Sequence, residues 1–271
     1  MNSTSWNNYL ARTWDKYLPP IRPYFEELSI IKTYIQQYII THENKPKVLI
    51  LGSTPEIRDV IYEYGIIPTV VDFSKDNYEG MSLLRRLSGE DKFVEKNWLD
   101  LTDDDGLYDF ILCEASFNVL PKESAKMMYK TTSELLNKNG LIIIKEWIRF
   151  SNKPKSVEHL IDEYRLSSNT YGFYSFTCIP LMLYFYDYEN ERITLKDLDK
   201  GVQNLLADNI ITQKEYETIG VHEYQNVELE LYIPDIVEFE QNMKEYFDLV
   251  FIHNVNIAYS EYHPIFVYER K

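Results

Sequence analysis

Two short apolar runs in this chain end in residues suited to holding a ligand. Lys47-Val48-Leu49-Ile50-Leu51 runs into Gly52-Ser53-Thr54-Pro55-Glu56, and Thr69-Val70-Val71 ends in Asp72, twenty positions after Gly52. The first junction reads as a buried strand passing into a helix. It has a glycine for the turn, hydroxyl residues to cap, proline at the first helical position and an acid in the first turn. A helix start of this kind leaves main-chain N–H groups facing outward, where an anionic group can sit. An acid that closes the second strand of an open α/β sheet can accept hydrogen bonds from two ribose hydroxyls, although it can equally cap the segment that follows. Together the two junctions have the chemistry of a nucleoside-ligand site.

Such a pair works only if the rest of the chain builds the sheet that aligns it. Apolar runs at 48–51, 69–71, 92–95, 109–113 and 141–145 read as strands, separated by helical patterns at 55–64, 78–87 and 122–136. The last of these helices is expected to stop at Asn139-Gly140. Strands alternating with helices of this length imply right-handed crossovers and a mostly parallel sheet. Ahead of them, residues 1–45 read as a helical cap broken by Pro19-Pro20-Ile21-Arg22-Pro23, with a second helix over 25–40. After Trp147 the rhythm changes, and residues 155–232 read as a helical, aromatic-rich insertion. The runs 248–252 and 263–268 then read as a closing hairpin. The expected fold is therefore α/β, a Rossmann-like, doubly wound seven-stranded sheet. Its core takes in residues 46–154 and 233–271, between the N-terminal cap and the insertion.

Composition narrows the function classes. Lys plus Arg number 28 against 43 Asp plus Glu, a net charge of −15, which disfavours unaided binding to nucleic acid or to an anionic membrane. No apolar run approaches the roughly 20 residues of a membrane span. The start Met1-Asn2-Ser3-Thr4-Ser5-Trp6 has no basic segment followed by an apolar one, and Cys113 and Cys178 are too few for a disulfide framework. A cytoplasmic protein, monomeric or homodimeric, is the expectation. The five histidines are scattered without the spacing of a metal site, so no metal is expected.

The order of these elements resembles the class I S-adenosylmethionine-dependent methyltransferases. The resemblance rests on the loop Leu51-Gly52-Ser53-Thr54-Pro55-Glu56, the acid in Val71-Asp72-Phe73-Ser74, the segment Asn97-Trp98-Leu99-Asp100-Leu101 and the strand with its loop from Tyr108 to Pro121. It covers residues 47–148 and the final two strands. The common acidic-x-Gly-x-Gly-x-Gly loop is reduced here to Gly52 alone, with Ile50 at the acidic position. The sequence Gly-Ser-Thr-Pro-Glu is similar to a branch of the family whose loop ends in Thr-Pro-Glu. This resemblance implies S-adenosylmethionine as cofactor, with S-adenosylhomocysteine as product. It implies cofactor contacts from Gly52, Ser53, Thr54, Asp72, Phe73, Ser74, Met81, Asn97, Trp98, Glu114 and Ala115, with Asn97 and the Trp98 N–H on the adenine. Glu114 stands where the family places a residue near the reactive methyl. It could bind the methionine amino group or take a proton from the acceptor as the catalytic residue.

In the same branch an N-terminal helix with aromatics folds over the cofactor. Tyr9 and Trp14 are therefore expected near the sulfonium, or else simply packed against the core. Arg22 is expected to pair with the cofactor carboxylate or with an anionic substrate. Tyr171, Tyr174 and Tyr184 of the insertion are expected either to wall the substrate pocket or to form ordinary core and dimer surface. The function implied is methyl transfer to a small-molecule nucleophile. The loss of loop glycines keeps open a catalytically inactive protein that binds the cofactor and regulates, and a nucleotide-sugar or NAD-dependent enzyme on a similar sheet is a third reading.

Overall fold

A computed structural model describes residues 11–12, 14–17, 19–150, 156–166, 173–219 and 229–271 of the chain. The apolar runs form β1 (Val48–Leu51), β2 (Thr69–Asp72), β3 (Lys92–Glu95), β4 (Tyr108–Glu114) and β5 (Leu136–Lys145), which pair in parallel. Two later strands complete the sheet, β8 (Phe247–His253) and β9 (Ile265–Arg270), and β9 runs antiparallel to both β5 and β8. The seven-stranded order is β3-β2-β1-β4-β5-β9-β8. A parallel sheet buried on both faces explains the near-continuous apolar runs, because successive side chains point to opposite faces.

The helices cover both faces. Val48, Ile50, Val70, Phe110 and Leu112 pack under α1 (Phe25–His42) and α2 (Pro55–Glu63). Leu49, Leu51, Val71, Ile111 and Cys113 face α4 (Lys122–Leu135) and α9 (Ile236–Lys244). The fold class read from the sequence is the one observed.

Two boundaries differ from expectation. The helix expected at 78–87 is α3 (Lys75–Ser82), because the Ser74 hydroxyl accepts the Asn77 N–H and starts the helix earlier. Asp59 then accepts the Arg86 and Leu87 N–H groups and turns the chain away. Helix α4 ends at Leu135 rather than at Asn139-Gly140. Leu136 is fully buried and extended, and it already pairs with Tyr108 in the sheet. Asn139 instead takes a left-handed φ of 64° within the irregular start of β5.

The insertion holds α5 (Val157–Leu166), α6 (Phe173–Tyr184), α7 (Leu195–Ala207) and α8 (Gln213–Ile219). It also holds a small antiparallel pair, β6 (Ile193–Thr194) with β7 (Glu230–Leu231). Its apolar core is continuous with Trp14 and Tyr17 of the N-terminal segment, with Met81 of α3 and with Trp147 just beyond β5. Among the described residues no helix is long and apolar enough to cross a membrane.

Glu146, next to Trp147, is fully buried. Burial drives its carboxyl well above the usual range, against the pull of the Phe117 and Asn118 main-chain N–H groups. The native protein therefore holds this proton to higher pH than the unfolded chain, which releases it near pH 4.5. Between that pH and its own raised value the native state binds up to one more proton than the unfolded state, so this residue lowers stability as pH rises there, by at most about 1.4 kcal/mol per unit. Glu146→Gln should remove that slope. Denaturant titrations at pH 6, 7 and 8 should show the variant gaining on the parent at each step, and a constant difference would mean that Glu146 is ionised when folded.

Candidate functional site

The carboxyl ends of β1, β2 and β4 open into one cavity of about 180 Å³, where open α/β sheets bind their ligands. Gly52 turns the chain at φ 99°, a left-handed conformation open to glycine and strained for other residues. Its N–H bonds Val71 O at 2.9 Å, tying the two strand ends together. Thr54 occupies the N-cap of α2 without a side-chain cap bond, contrary to the hydroxyl cap expected, and lines the cavity instead.

Asp72 lies buried at the floor of the cavity. Its Oδ2 accepts from the Ser53 hydroxyl at 2.6 Å and from Asn77 Nδ2 at 3.0 Å, and its Oδ1 accepts from the Ser74 N–H at 3.0 Å. Burial raises its pKa, and these three bonds act in the opposite direction. Asn77 was not singled out from the sequence, because the helix was expected to begin later. Its Oδ1 is buried without a partner among the described groups, and the residue lines the cavity. Phe73 and Met81 line it too, whereas Ser74 acts through the α3 cap.

Beyond β3 two placements differ from expectation. Asn97 is exposed and stands outside the cavity, because its Oδ1 accepts the Leu99 N–H and caps a short turn. Trp98 does line the cavity, but its indole N–H donates to Val71 O at 2.8 Å. The indole therefore offers a ring face and an edge rather than that donor.

At the end of β4, Glu114 lines the cavity with its side chain 11% exposed. Ala115 beside it turns at φ 50°, held by its N–H to Lys145 O. Lys145, buried at the end of β5, directs its ammonium to three acceptors: Glu114 Oε1 at 2.9 Å, Glu27 Oε2 at 3.0 Å and Pro20 O at 2.7 Å. Burial pushes Glu114 up to about 7, with Lys145 pulling down and Glu27 pushing up. Burial pulls Lys145 down, but the two carboxylates outweigh it and its pKa is raised. His263 packs against the same cluster, its Nδ1 3.9 Å from Glu27 Oε1, and burial followed by the Lys145 charge holds it down to about 3. It is neutral, and Lys145 alone carries the positive charge.

The N-terminal segment closes the cavity through a second carboxylate. Glu56, in the first turn of α2, accepts the Trp14 indole N–H at 3.1 and 3.2 Å and Arg22 Nε at 2.5 Å. Trp14, Tyr17 and Ile21 consequently line the cavity. Arg22 does not. Its charge is taken up by Glu56, with Asp15 3.7 Å away, so the expected pairing with a ligand is replaced by a bond that fastens the cap.

From the insertion the cavity receives Met182, Leu195, Leu229 and Leu231. Tyr184 is 43% exposed and lies outside it. Two residues along a helix is a rotation of about 200°, so the side of α6 that presents Met182 turns Tyr184 outward. Tyr174 belongs to α6, but its side chain lies outside the described residues, as do Tyr9 and Tyr171 altogether. Asn118 secures this end. Its amide donates to Trp147 O and Tyr232 O, both at 2.9 Å, and accepts the Trp147 N–H at 2.8 Å. Among the described residues no group of three His, Cys, Asp or Glu could hold a metal.

No protein-family profile matches the chain, and no curated protein matches its sequence. Solved structures do share its fold along nearly the full length. The CcbJ methyltransferase from Streptomyces caelestis aligns with 100% of this chain and 99% of its own, at 12% identity and a TM-score of 0.60. The N-methyltransferase NodS from Bradyrhizobium japonicum WM9, solved with S-adenosyl-L-homocysteine, aligns over 97% and 98% at 7% identity and a TM-score of 0.50. A Rhodobacter sphaeroides protein described as a zinc-dependent alcohol dehydrogenase aligns over 99% and 98% at 14% identity and a TM-score of 0.60. The chain thus has the α/β fold of S-adenosylmethionine-dependent methyltransferases. At these identities the likeness defines the architecture, and chemistry has to be argued from the site.

Proposed function

We propose that the protein is an S-adenosylmethionine-dependent methyltransferase acting on a small-molecule nucleophile. The observation that carries this reading is the pairing of a buried Asp72 at the end of β2 with Glu114 at the end of β4 in one cavity. The residues suit the cofactor. Asp72 has carboxylate oxygens for ribose hydroxyls, and Asn77, which donates to one of them, lines the cavity beside it. The uncapped first turn of α2 and the Gly52 turn admit the amino-acid end of the cofactor. When bound, the cofactor supplies an electrophilic methyl on a positive sulfur. Trp14, held by Glu56, presents an aromatic ring to the cavity, which suits a cation and excludes water.

Transfer of this kind needs alignment and a dry site more than a fixed catalytic set. Glu114 is the proposed catalytic residue. It takes the proton that the acceptor loses as the acceptor's lone pair bonds the methyl carbon and the carbon–sulfur pair returns to sulfur. The insertion and the N-terminal segment serve as lids over this core.

If Glu114 acts as a carboxylate, kcat/KM should rise through about pH 7, its raised value, and level off above it. Glu114→Gln should lose that limb of the profile. An unchanged profile in the variant would remove Glu114 from the catalytic role. Competition separates the cofactor classes: S-adenosylhomocysteine should displace a fluorescent adenosine analogue, whereas NAD at the same concentration should not. Displacement by NAD alone would favour a dehydrogenase.

A further inference from the structure

We infer that the methyl acceptor is an apolar molecule without an anionic group. It carries one hydroxyl or amine that donates to Glu114, and one hydrogen-bond acceptor that receives the indole N–H of Trp147. This deepens the methyltransferase reading and rests on it.

The cavity divides at Glu114. The β1–β2 side holds the polar groups assigned to the cofactor. Beyond Glu114 the lining comes from Val119 after β4, Trp147 after β5 and Met182, Leu195 and Leu231 of the insertion. No Lys, Arg or His occurs among the described residues that line the cavity. A phosphate or carboxylate on the acceptor would therefore be desolvated beside Glu114 with no cationic side chain of the described lining to meet it, the cofactor's sulfur being the one positive charge the reading supplies. An unpaired buried charge costs several kcal/mol, whereas apolar and aromatic surface is stabilised by the same walls. Lys145 does not relieve this, because its three donors are directed to Glu114, Glu27 and Pro20 O.

Polar recognition on this side is sparse. The Asn118 amide is bonded to Trp147 N–H, Trp147 O and Tyr232 O. Trp147 is different: the residue is 8% exposed, and its buried Nε1 has no partner among the described groups. A buried indole N–H normally finds an acceptor. The clamp by Asn118 fixes the main chain of Trp147; its Nε1 has no accessible surface as the ring stands, so the ring turns about its side-chain bonds before an acceptor atom of the ligand reaches it. A site with one paired polar contact discriminates by orders of magnitude against an analogue that lacks it.

The proposal is tested on protein saturated with S-adenosylhomocysteine at pH 8. Calorimetry with that ligand first establishes that the cofactor site is filled. Naphthol, the hydroxyquinoline isomers, naphthoate and naphthyl phosphate are then titrated in turn. Naphthol and at least one hydroxyquinoline should bind tenfold or more tightly than either anion. Trp147→Phe should erase the advantage of that hydroxyquinoline over naphthol while leaving S-adenosylhomocysteine affinity within threefold. If Trp147→Phe does not fold, the ranking of neutral against anionic probes on the parent protein still decides the charge class. Anions binding as tightly as naphthol, or no probe binding at all to the saturated protein, would overturn the acceptor class alone. Failure of S-adenosylhomocysteine to bind would instead overturn the methyltransferase reading on which it rests.

Discussion

Replacing Lys145 by methionine should lower stability by about 3–5 kcal/mol, the usual cost of leaving a buried charge without its partner. Lys145 is the only cation in a cluster that also contains Glu27, Glu114 and a neutral His263. It also bonds Pro20 O, and so joins the end of β5 to the N-terminal segment and to Glu114 at once. Without it, the two carboxylates can remain buried only by taking up protons. The variant should therefore be relatively more stable at pH 5 than at pH 8, with the linkage sign set by native groups that bind more protons than unfolded ones. Glu27→Gln added to Lys145→Met should recover part of the loss, because it removes one of the stranded charges. Denaturant titration of the three proteins at both pH values checks this. A loss under about 1 kcal/mol, or one independent of pH, would mean that the cluster contributes little.

The second large effect concerns affinity. Asp72→Ala should weaken S-adenosylhomocysteine binding by about 2–4 kcal/mol, roughly 30- to 1,000-fold, through loss of charge-assisted bonds to the ribose hydroxyls. Asp72 also organises Ser53, Ser74 and Asn77, so Asp72→Asn is the companion variant that keeps the shape and removes the charge. Both should keep the melting behaviour of a folded sheet. A change in affinity under threefold in either variant would take Asp72 out of the ribose site.

The parts legible in the sequence were those set by local rules. Apolar runs with turn signals marked five parallel strands and the closing pair, because burial of a parallel sheet leaves little choice of residue. The positions of Gly52 and Asp72 followed from the same strand ends. What could not be read were partners fixed by tertiary packing. Arg22 and Asn97 have side chains suited to a ligand, yet each is engaged by a neighbour, Glu56 in one case and the Leu99 N–H in the other. Lys145 gave no signal, because a lysine closing an apolar strand usually marks the surface. Asn77 and Trp147 were hidden by a helix start placed too late and by an insertion whose packing has no sequence period. Sequence patterns report which face of an element is buried. They do not report which polar group waits there.

The central claim is that the cavity at the ends of β1, β2 and β4 is a cofactor site for S-adenosylmethionine. Its most direct test is calorimetric titration of the folded 271-residue chain with S-adenosylhomocysteine. The expected result is one-to-one binding near micromolar strength, about −8 kcal/mol, abolished or greatly weakened by Asp72→Ala. Folded protein that gives no heat and no thermal shift with either S-adenosylhomocysteine or S-adenosylmethionine would contradict the claim.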